Sequence, residues 1–217
     1  KLSEGFALKR IDEGGRVLFV IYAPDEQNLA YGAYAFLEEL GVRYFHPRAE
    51  LVPKYAGVRV PTTLDLARRP AWRIRGIQEH TLHPIETMTA LNEPSAENLA
   101  EAKGYIDWLV KTGQNFLQWP LMDVPWGPFR QHAQAIADYA HLRGVKVGAS
   151  IVLFGASAHQ NNYVLIEDTT SWQTELDAQL AQLLEVDWDV VELTLGEFVG
   201  EDPSAIVTWL NHATDRV

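Results

Sequence analysis

The sequence predicts a mixed α/β chain. A small N-terminal α/β domain of hairpin plus helix is expected over residues 1–66, and the first half of a (β/α)8 barrel of the TIM type over residues 67–217. Three observations carry this expectation. From Trp72 onward strand-like and helix-like runs alternate, at a spacing that suits successive βα units and hence a parallel sheet. Before Trp72 the pattern is different, with two strand-like runs flanking a glycine turn and then one helix. No Gly-x-Gly-x-x-Gly or phosphate-binding Lys loop follows any strand, which disfavours a nucleotide-binding doubly wound sheet. A complete barrel needs about 250 residues and the stretch after Trp72 holds about four units, so a half barrel cut from a longer protein is expected. An open sheet is the other architecture.

The elements follow in order. "GFALKRI" and "RVLFVIYA" are strands joined by the turn "DEGG". "DEQNLAYGAYAFLEELG" is a helix opened by Asp25, closed by Gly41, with an apolar stripe of Leu29, Ala33, Phe36, Leu37 and Leu40. "VRYFHP" is a short strand, and the Pro-containing connector after it has room for one more. In the second part the strands are "WRIRGIQE", "QNFLQWPL", "VKVGASIVLF" and "DVVELTLGEF". The helices between and after them are "SAENLAEAKGYIDWLVKTG", with Ser95 as N-cap and Gly113 past its end, "PFRQHAQAIADYAHLRG", "SWQTELDAQLAQLLEV" and "DPSAIVTWLNHAT", with Pro203 in its first turn.

Composition narrows the function. The chain has 217 residues, 47% hydrophobic, with 29 acidic against 18 basic side chains and a net charge of −11. That balance argues against nucleic acid and anionic membrane surfaces, since phosphate binding needs clustered Lys and Arg. The densest basic cluster, Arg68-Arg69 with Arg73 and Arg75, is too short to make such a face. The absence of cysteine excludes disulfides, thiolate metal sites and Cys nucleophiles. No apolar run approaches the ~20 residues of a membrane span. The chain begins at Lys1 without Met or a signal peptide, as expected of a processed or excerpted piece.

In a parallel barrel the chemistry gathers at the C-terminal strand ends. The first strand offers Gln78, Glu79, His80 and His83, the second Gln118, Trp119 and Asp123, the third His159 and Asn161, and the fourth Glu197 followed by Glu201 and Asp202. Such an aromatic-rich, acid-containing pocket suits a sugar: Trp119 and Trp126 would stack on C–H faces, while amides and imidazoles bond hydroxyls. Structural roles compete at each position. Glu197 is a rim or cap acid in that reading, His80 and His83 a hydrogen-bonded pair, Trp119 a core residue, and Glu201 and Asp202 cap the last helix. A metal on His80 and His83 lacks an evident third ligand, so neither metal nor cofactor is expected.

Four segments together point to a family. "NLAYGAYAFLEELGVRYFHPRAELVP", "PAWRIRGIQEH", "TGQNFLQWPLMD" and "GVKVGASIVLFGASAH" resemble, in order, the small domain and first three barrel strands of β-N-acetylhexosaminidases and α-glucuronidases. The resemblance spans roughly residues 20–200. It implies exo-acting glycoside hydrolysis on a glycan or polysaccharide, with Glu197 as the general acid. Glu79, His80, Gln118, Trp119 and His159 would line the sugar site, and Arg75 would reach it only by turning inward. The implied partners are a carbohydrate substrate and the remainder of the barrel. A secreted or periplasmic location is the one those families suggest.

One position departs from the pattern. Hexosaminidases carry an Asp immediately before the acid, which orients the substrate acetamide that acts as nucleophile; here that residue is Gly196. An inverting scheme of the α-glucuronidase kind needs a base about 6.5–9.5 Å from the acid, on a strand beyond Val217. A catalytically inactive carbohydrate-binding module on the same scaffold is therefore the alternative, and a metal hydrolase using Glu79, His80 and His83 the third.

Overall fold

A computed structural model describes residues 4–55, 57, 61–79, 85–155, 162–196 and 202–217. Its contacts form two units, one of Lys1–Gly76, Gly104–Asn115 and Arg143–Val145, the other of Ile77–Lys103, Phe116–Leu142 and Lys146–Val217.

In the first unit β1 (Phe6–Glu13) and β2 (Arg16–Tyr22) form the expected antiparallel hairpin. Its turn needs positive φ at two successive residues, which Gly14 (58°) and Gly15 (75°) supply. Helix α1 (Glu26–Glu39) follows, with Asp25 as N-cap accepting from the Asn28 amide at 2.8 Å. The Asn28 side chain donates to both Asp25 oxygens and accepts from Gly5 N–H at 3.0 Å, so this buried amide ties the helix start to the head of β1. The helix ends with Gly41 at φ 96°, whose N–H bonds the Glu38 carbonyl while Val42 N–H bonds that of Leu37.

The expected apolar stripe of α1 is not the buried one. Asn28, Tyr31, Gly32 and Ala35 face inward, while Leu29 and Leu37 are 45% and 38% exposed. The cause is close approach at Gly32, where a Cβ would stand 2.5 Å from Ile21 Cγ2 and 3.3 Å from Phe6. Contact that tight favours the small-residue face over the leucine face. Strands β3 (Arg43–His46) and β4 (Ala49–Leu51) make a second hairpin, of which only the first arm was expected. Strand β5 (Asp65–Arg68) fills the connector and pairs with β1, giving the order β2-β1-β5.

The second unit contains a parallel sheet. From Gly76 onward the elements are β6 (Gly76–Gln78), α2 (Glu86–Asn92), α3 (Ala96–Lys111), β7 (Phe116–Pro120), α4 (Trp126–Leu142), β8 (Lys146–Phe154), β9 (Val164–Ile166), α5 (Trp172–Leu183), β10 (Val190–Gly196) and α6 (Pro203–Thr214), of which Gly76 and the part of α3 from Gly104 belong to the first unit. The sheet order is β10-β8-β7-β6, with β9 also paired to β8, and the ladders of β8 with β7, β9 and β10 are all parallel. The architecture is thus mixed α/β with a parallel sheet and, among the described residues, six helices.

Helix α2 and strand β9 carry too few residues for a readable period. Strand β6 is shorter than "WRIRGIQE" suggests for another reason. The Asn115 side chain accepts from Arg75 N–H at 2.8 Å and donates to the Arg73 carbonyl at 2.9 Å, so that only one backbone bond, Asn115 N–H to the Arg75 carbonyl at 2.7 Å, joins the segments there.

Alternation sorts the sheet into two faces. Leu117 and Trp119 of β7 and Val147, Ala149, Ile151 and Leu153 of β8 are fully buried. Helix α4 packs on β8 through its own buried face (Phe129, Ala133, Ile136, Ala137, Ala140), and α5 packs on β9 and α6. Each large side chain so buried contributes about 1.5–3 kcal/mol. The opposite face carries Gln78, Gln118, Ser150 and Glu192.

Carboxylates secure the loops. Asp202 caps α6 by accepting from Ser204 N–H at 2.9 Å. Asp189 accepts from Val147 N–H at 2.8 Å and sits 2.9 Å from His141 Nε2, fastening the entrance of β10 to that of β8. Burial alone would raise its pKa, but those contacts and Lys146 outweigh it and hold it below the usual carboxylate value. Asp177 is lowered chiefly by its 2.8 Å contact with His212, with Arg216 adding to the effect. Both groups bind protons less readily folded than unfolded. Their contribution to stability is therefore complete above the unfolded pKa of about 4 and lost as pH falls through the depressed folded values. Thermal melts should fall below about pH 4, and Asp177→Asn should flatten that acid limb while lowering the neutral-pH melt; an unchanged acid limb would refute the assignment.

Candidate functional site

The polar face of the parallel sheet brings side chains from two strands onto one carboxylate carried by a third. Gln78 of β6 donates to Glu192 Oε2 from 3.0 Å, and Gln118 of β7 donates to the same oxygen through a short hydrogen bond. Glu192 stands on β10, with β8 between it and Gln118. The span is possible because the β8 residue opposite Gln118 is Gly148. A Cβ there would meet Gln118 Cγ at 3.1 Å, so a larger residue would press on that side chain. Glu192 is half-buried, and among the described residues its second oxygen, Oε1, accepts no hydrogen bond. The result is an oriented carboxylate with one oxygen held and the other available to a donor such as a sugar hydroxyl.

The C-terminal end of β7 is held from behind. Buried Asn92, the last residue of α2, donates to the Met88 and Pro120 carbonyls and accepts from Met122 N–H at 3.1 Å. His132 Nε2 lies 2.9 Å from the Ala90 carbonyl and steadies the same helix. Beyond Pro120, Tyr163 N–H bonds the Leu121 carbonyl at 2.9 Å, so β9 takes over the edge of β8 that β7 leaves. Burial pushes the Tyr163 phenol up to about 12, against the pull of its hydrogen bond from Gln182. It is a neutral structural donor to the Gln179 carbonyl at ordinary pH.

The expected site residues divide three ways. Gln118 lies on the polar face, and Glu79 directly follows β6, its N–H bonding the Gln118 carbonyl at 2.8 Å. Trp119 points to the other face. It is fully buried there, with its ring edge-on to Trp188 at 5.1 Å, and among the described residues its Nε1 has no hydrogen-bond partner. His80, His159 and Glu197 lie outside the described residues, as do His83, Asn161 and Glu201. Glu192, Gly148 and Asn92 went unnoticed in the sequence. The signal for Glu192 is an acid inside "VVELTL", where an apolar strand gives no other reason for a charge.

Strand β10 ends at Gly196, and the glycine is obligatory. Its φ is 80°, and a Cβ would stand 2.0 Å from the Phe154 carbonyl oxygen. No side chain fits, so an Asp at this position is sterically forbidden in this backbone. Among the described residues no group of His, Cys, Asp and Glu is arranged to hold a metal ion, and no helix is long and apolar enough to cross a membrane.

Gly196→Ala should lower stability by about 1–3 kcal/mol or more, from the positive φ together with the backbone overlap. Urea unfolding measures this, and a change within error would overturn the steric reading.

Comparison with known proteins bears on the fold. No family model matches the chain, and no curated protein matches it. A solved structure described as a glycoside hydrolase family 20 β-N-acetylglucosaminidase is similar to it, with a TM-score of 0.54 at 13% identity. The match covers 100% of this chain and 52% of that one, so the chain spans about half the length of the solved structure it resembles. The likeness is one of fold, a distant resemblance to a glycoside hydrolase.

Proposed function

We propose that the chain carries the first half of a (β/α)8 barrel, behind a small N-terminal domain, in a glycoside hydrolase that binds its sugar at the C-terminal ends of the parallel strands. In this reading residues 1–66 are the small domain, residues 67–217 contribute four barrel units, and the polar face of the sheet is turned toward the barrel interior. The observation that carries it is the convergence of Gln78, Gln118 and Glu192 on the face away from the helices. A parallel sheet ordinarily hides both faces in apolar cover. One that keeps helices on one side and an oriented carboxylate on the other is built as a barrel wall is. The likeness to a family 20 glycosidase fold supports the same reading.

Glu197 is the general acid of the proposal. It is the residue next after Gly196, and the strand before it is registered against β8 up to that glycine. A carboxyl there would protonate the departing glycosidic oxygen, with Glu192 and the glutamines bonding sugar hydroxyls deeper in the site. Gly196 has no room for the Asp that hexosaminidases use to hold an acetamide. Hydrolysis assisted by the substrate acetamide is accordingly disfavoured, and a second carboxylate from elsewhere in the protein supplies the base or nucleophile.

The same glycine favours the second reading, a sugar-binding scaffold without catalysis. The test is hydrolysis of a panel of aryl glycosides, N-acetylglucosaminide and glucuronide among them, by the protein and its Glu197→Gln variant. Removal of a general acid should cost about 10²-fold or more. The loss should grow as the leaving group becomes less acidic, a trend that a merely structural lesion does not produce. Absence of hydrolysis by both proteins, with sugar binding intact in both, would replace the hydrolase with the binding scaffold.

A further inference from the structure

A cavity of about 270 Å³ lies in the first unit, beside the buried face of α1. Four cations line it, Arg68, Arg69, Arg75 and Lys111, against one carboxylate, Glu38. In a chain of net charge −11 this is a local reversal of sign. Two of the cations are neutralised: Arg68 pairs with Glu38 at 3.1 Å and Lys111 with Glu50 at 2.5 Å. The other two are not. Arg69 makes no side-chain hydrogen bond or ion pair among the described residues. Arg75 is held by neutral groups, with Nε on the Gly113 carbonyl at 2.9 Å, Nη1 on the Trp72 carbonyl at 2.6 Å and on that of Arg73 at 3.5 Å, and the Tyr31 phenol beside it, the ring centre 5.7 Å from the guanidinium carbon.

This arrangement aims a fixed guanidinium at the cavity without supplying its counter-ion. Anchoring by carbonyls and by an aromatic face removes the rotamer freedom of Arg75 and leaves N–H donors unspent. Phe6 and Pro70 give the cavity an apolar wall, where ionic attraction is screened less than in water. Tyr31 stays neutral: burial raises its pKa to about 12 although Arg75 pulls the other way, so its hydroxyl does not compete as an anion.

We infer that this cavity is an anion-binding site for a small carboxylate- or phosphate-bearing ligand, with Arg75 as the fixed fork and Arg69 as the outer charge. The volume is near the lower end of the roughly 300–1,000 Å³ usual for ligand pockets, which limits the ligand to a small molecule. All its residues belong to the first unit, and the inference does not rest on the glycosidase reading.

The experiment is calorimetric titration with sodium glucuronate, inorganic phosphate and, as the uncharged control, glucose. One or both anions should bind saturably and more weakly as salt is added, with glucose giving no signal. Arg75→Lys and Arg69→Gln should each weaken binding, the first by about tenfold. Arg69 has no side-chain partner among the described residues, so its variant should melt like the parent. Glu38→Gln removes the one lining carboxylate and should tighten binding, a gain that no folding defect imitates. Response to glucuronate alone would identify a carboxylate ligand, and response to phosphate alone a phosphate. No saturable binding of either anion, equal binding of glucose, or affinities indifferent to all three substitutions would overturn the site.

Discussion

Strand β8 is the constraint to which the second unit is fitted. It is the one described strand that carries ladders to three others, β7 and β9 along one edge and β10 along the other. Its residues must satisfy opposite demands on its two faces. Val147, Ala149, Ile151 and Leu153 close an apolar core beneath the helices, while Gly148 stays small enough for a hydrogen bond to pass over it. A larger residue at 148 would preserve the ladder and press on the Gln118 side chain, which would have to shift by a few tenths of an ångström. The backbone pairing and the carboxylate cluster thus make separate demands, and the cluster is the one that bears on the size of residue 148.

What was legible in the sequence follows the physics of each signal. Glycines at turns and helix ends were readable because positive φ admits little else, and Gly14, Gly15, Gly41 and Gly113 all take it. The long helices and central strands were readable from their periods. Helix α1 was found and its buried face misread, because the face was chosen by the contact at Gly32 and by a buried Asn28 that hydrogen bonding makes tolerable. Apolarity alone contains neither fact. Asn115 illustrates a further limit: a side chain that substitutes for ladder bonds shortens a strand without altering its composition.

The site was less legible than the fold. Position at a strand end selects many polar residues and says little about which way each one faces. Gln118 and Trp119 are neighbours in the chain, yet one reaches a carboxylate and the other is sealed beneath the helices. Alternation along a strand separates such a pair only once the covered face is known. Glu192 was visible as an anomaly, a charge inside an apolar run, but its partners come from strands more than seventy residues away in sequence.

The handover from β7 to β9 along β8 has a consequence for how this protein can diverge. Gly155, just past β8, and Asn162, which bridges to Met122, bound residues 156–161, and the bonds that secure Tyr163 run to Leu121, Val152 and Gln179. Two of the Tyr163 bonds run between backbone groups and the third from its phenol to a backbone carbonyl, so no partner side chain is needed to make them. The handover thus tolerates exchange of the side chains at 121, 152 and 179 wherever packing allows, while position 163 is tied to a phenol by the reach of its hydroxyl.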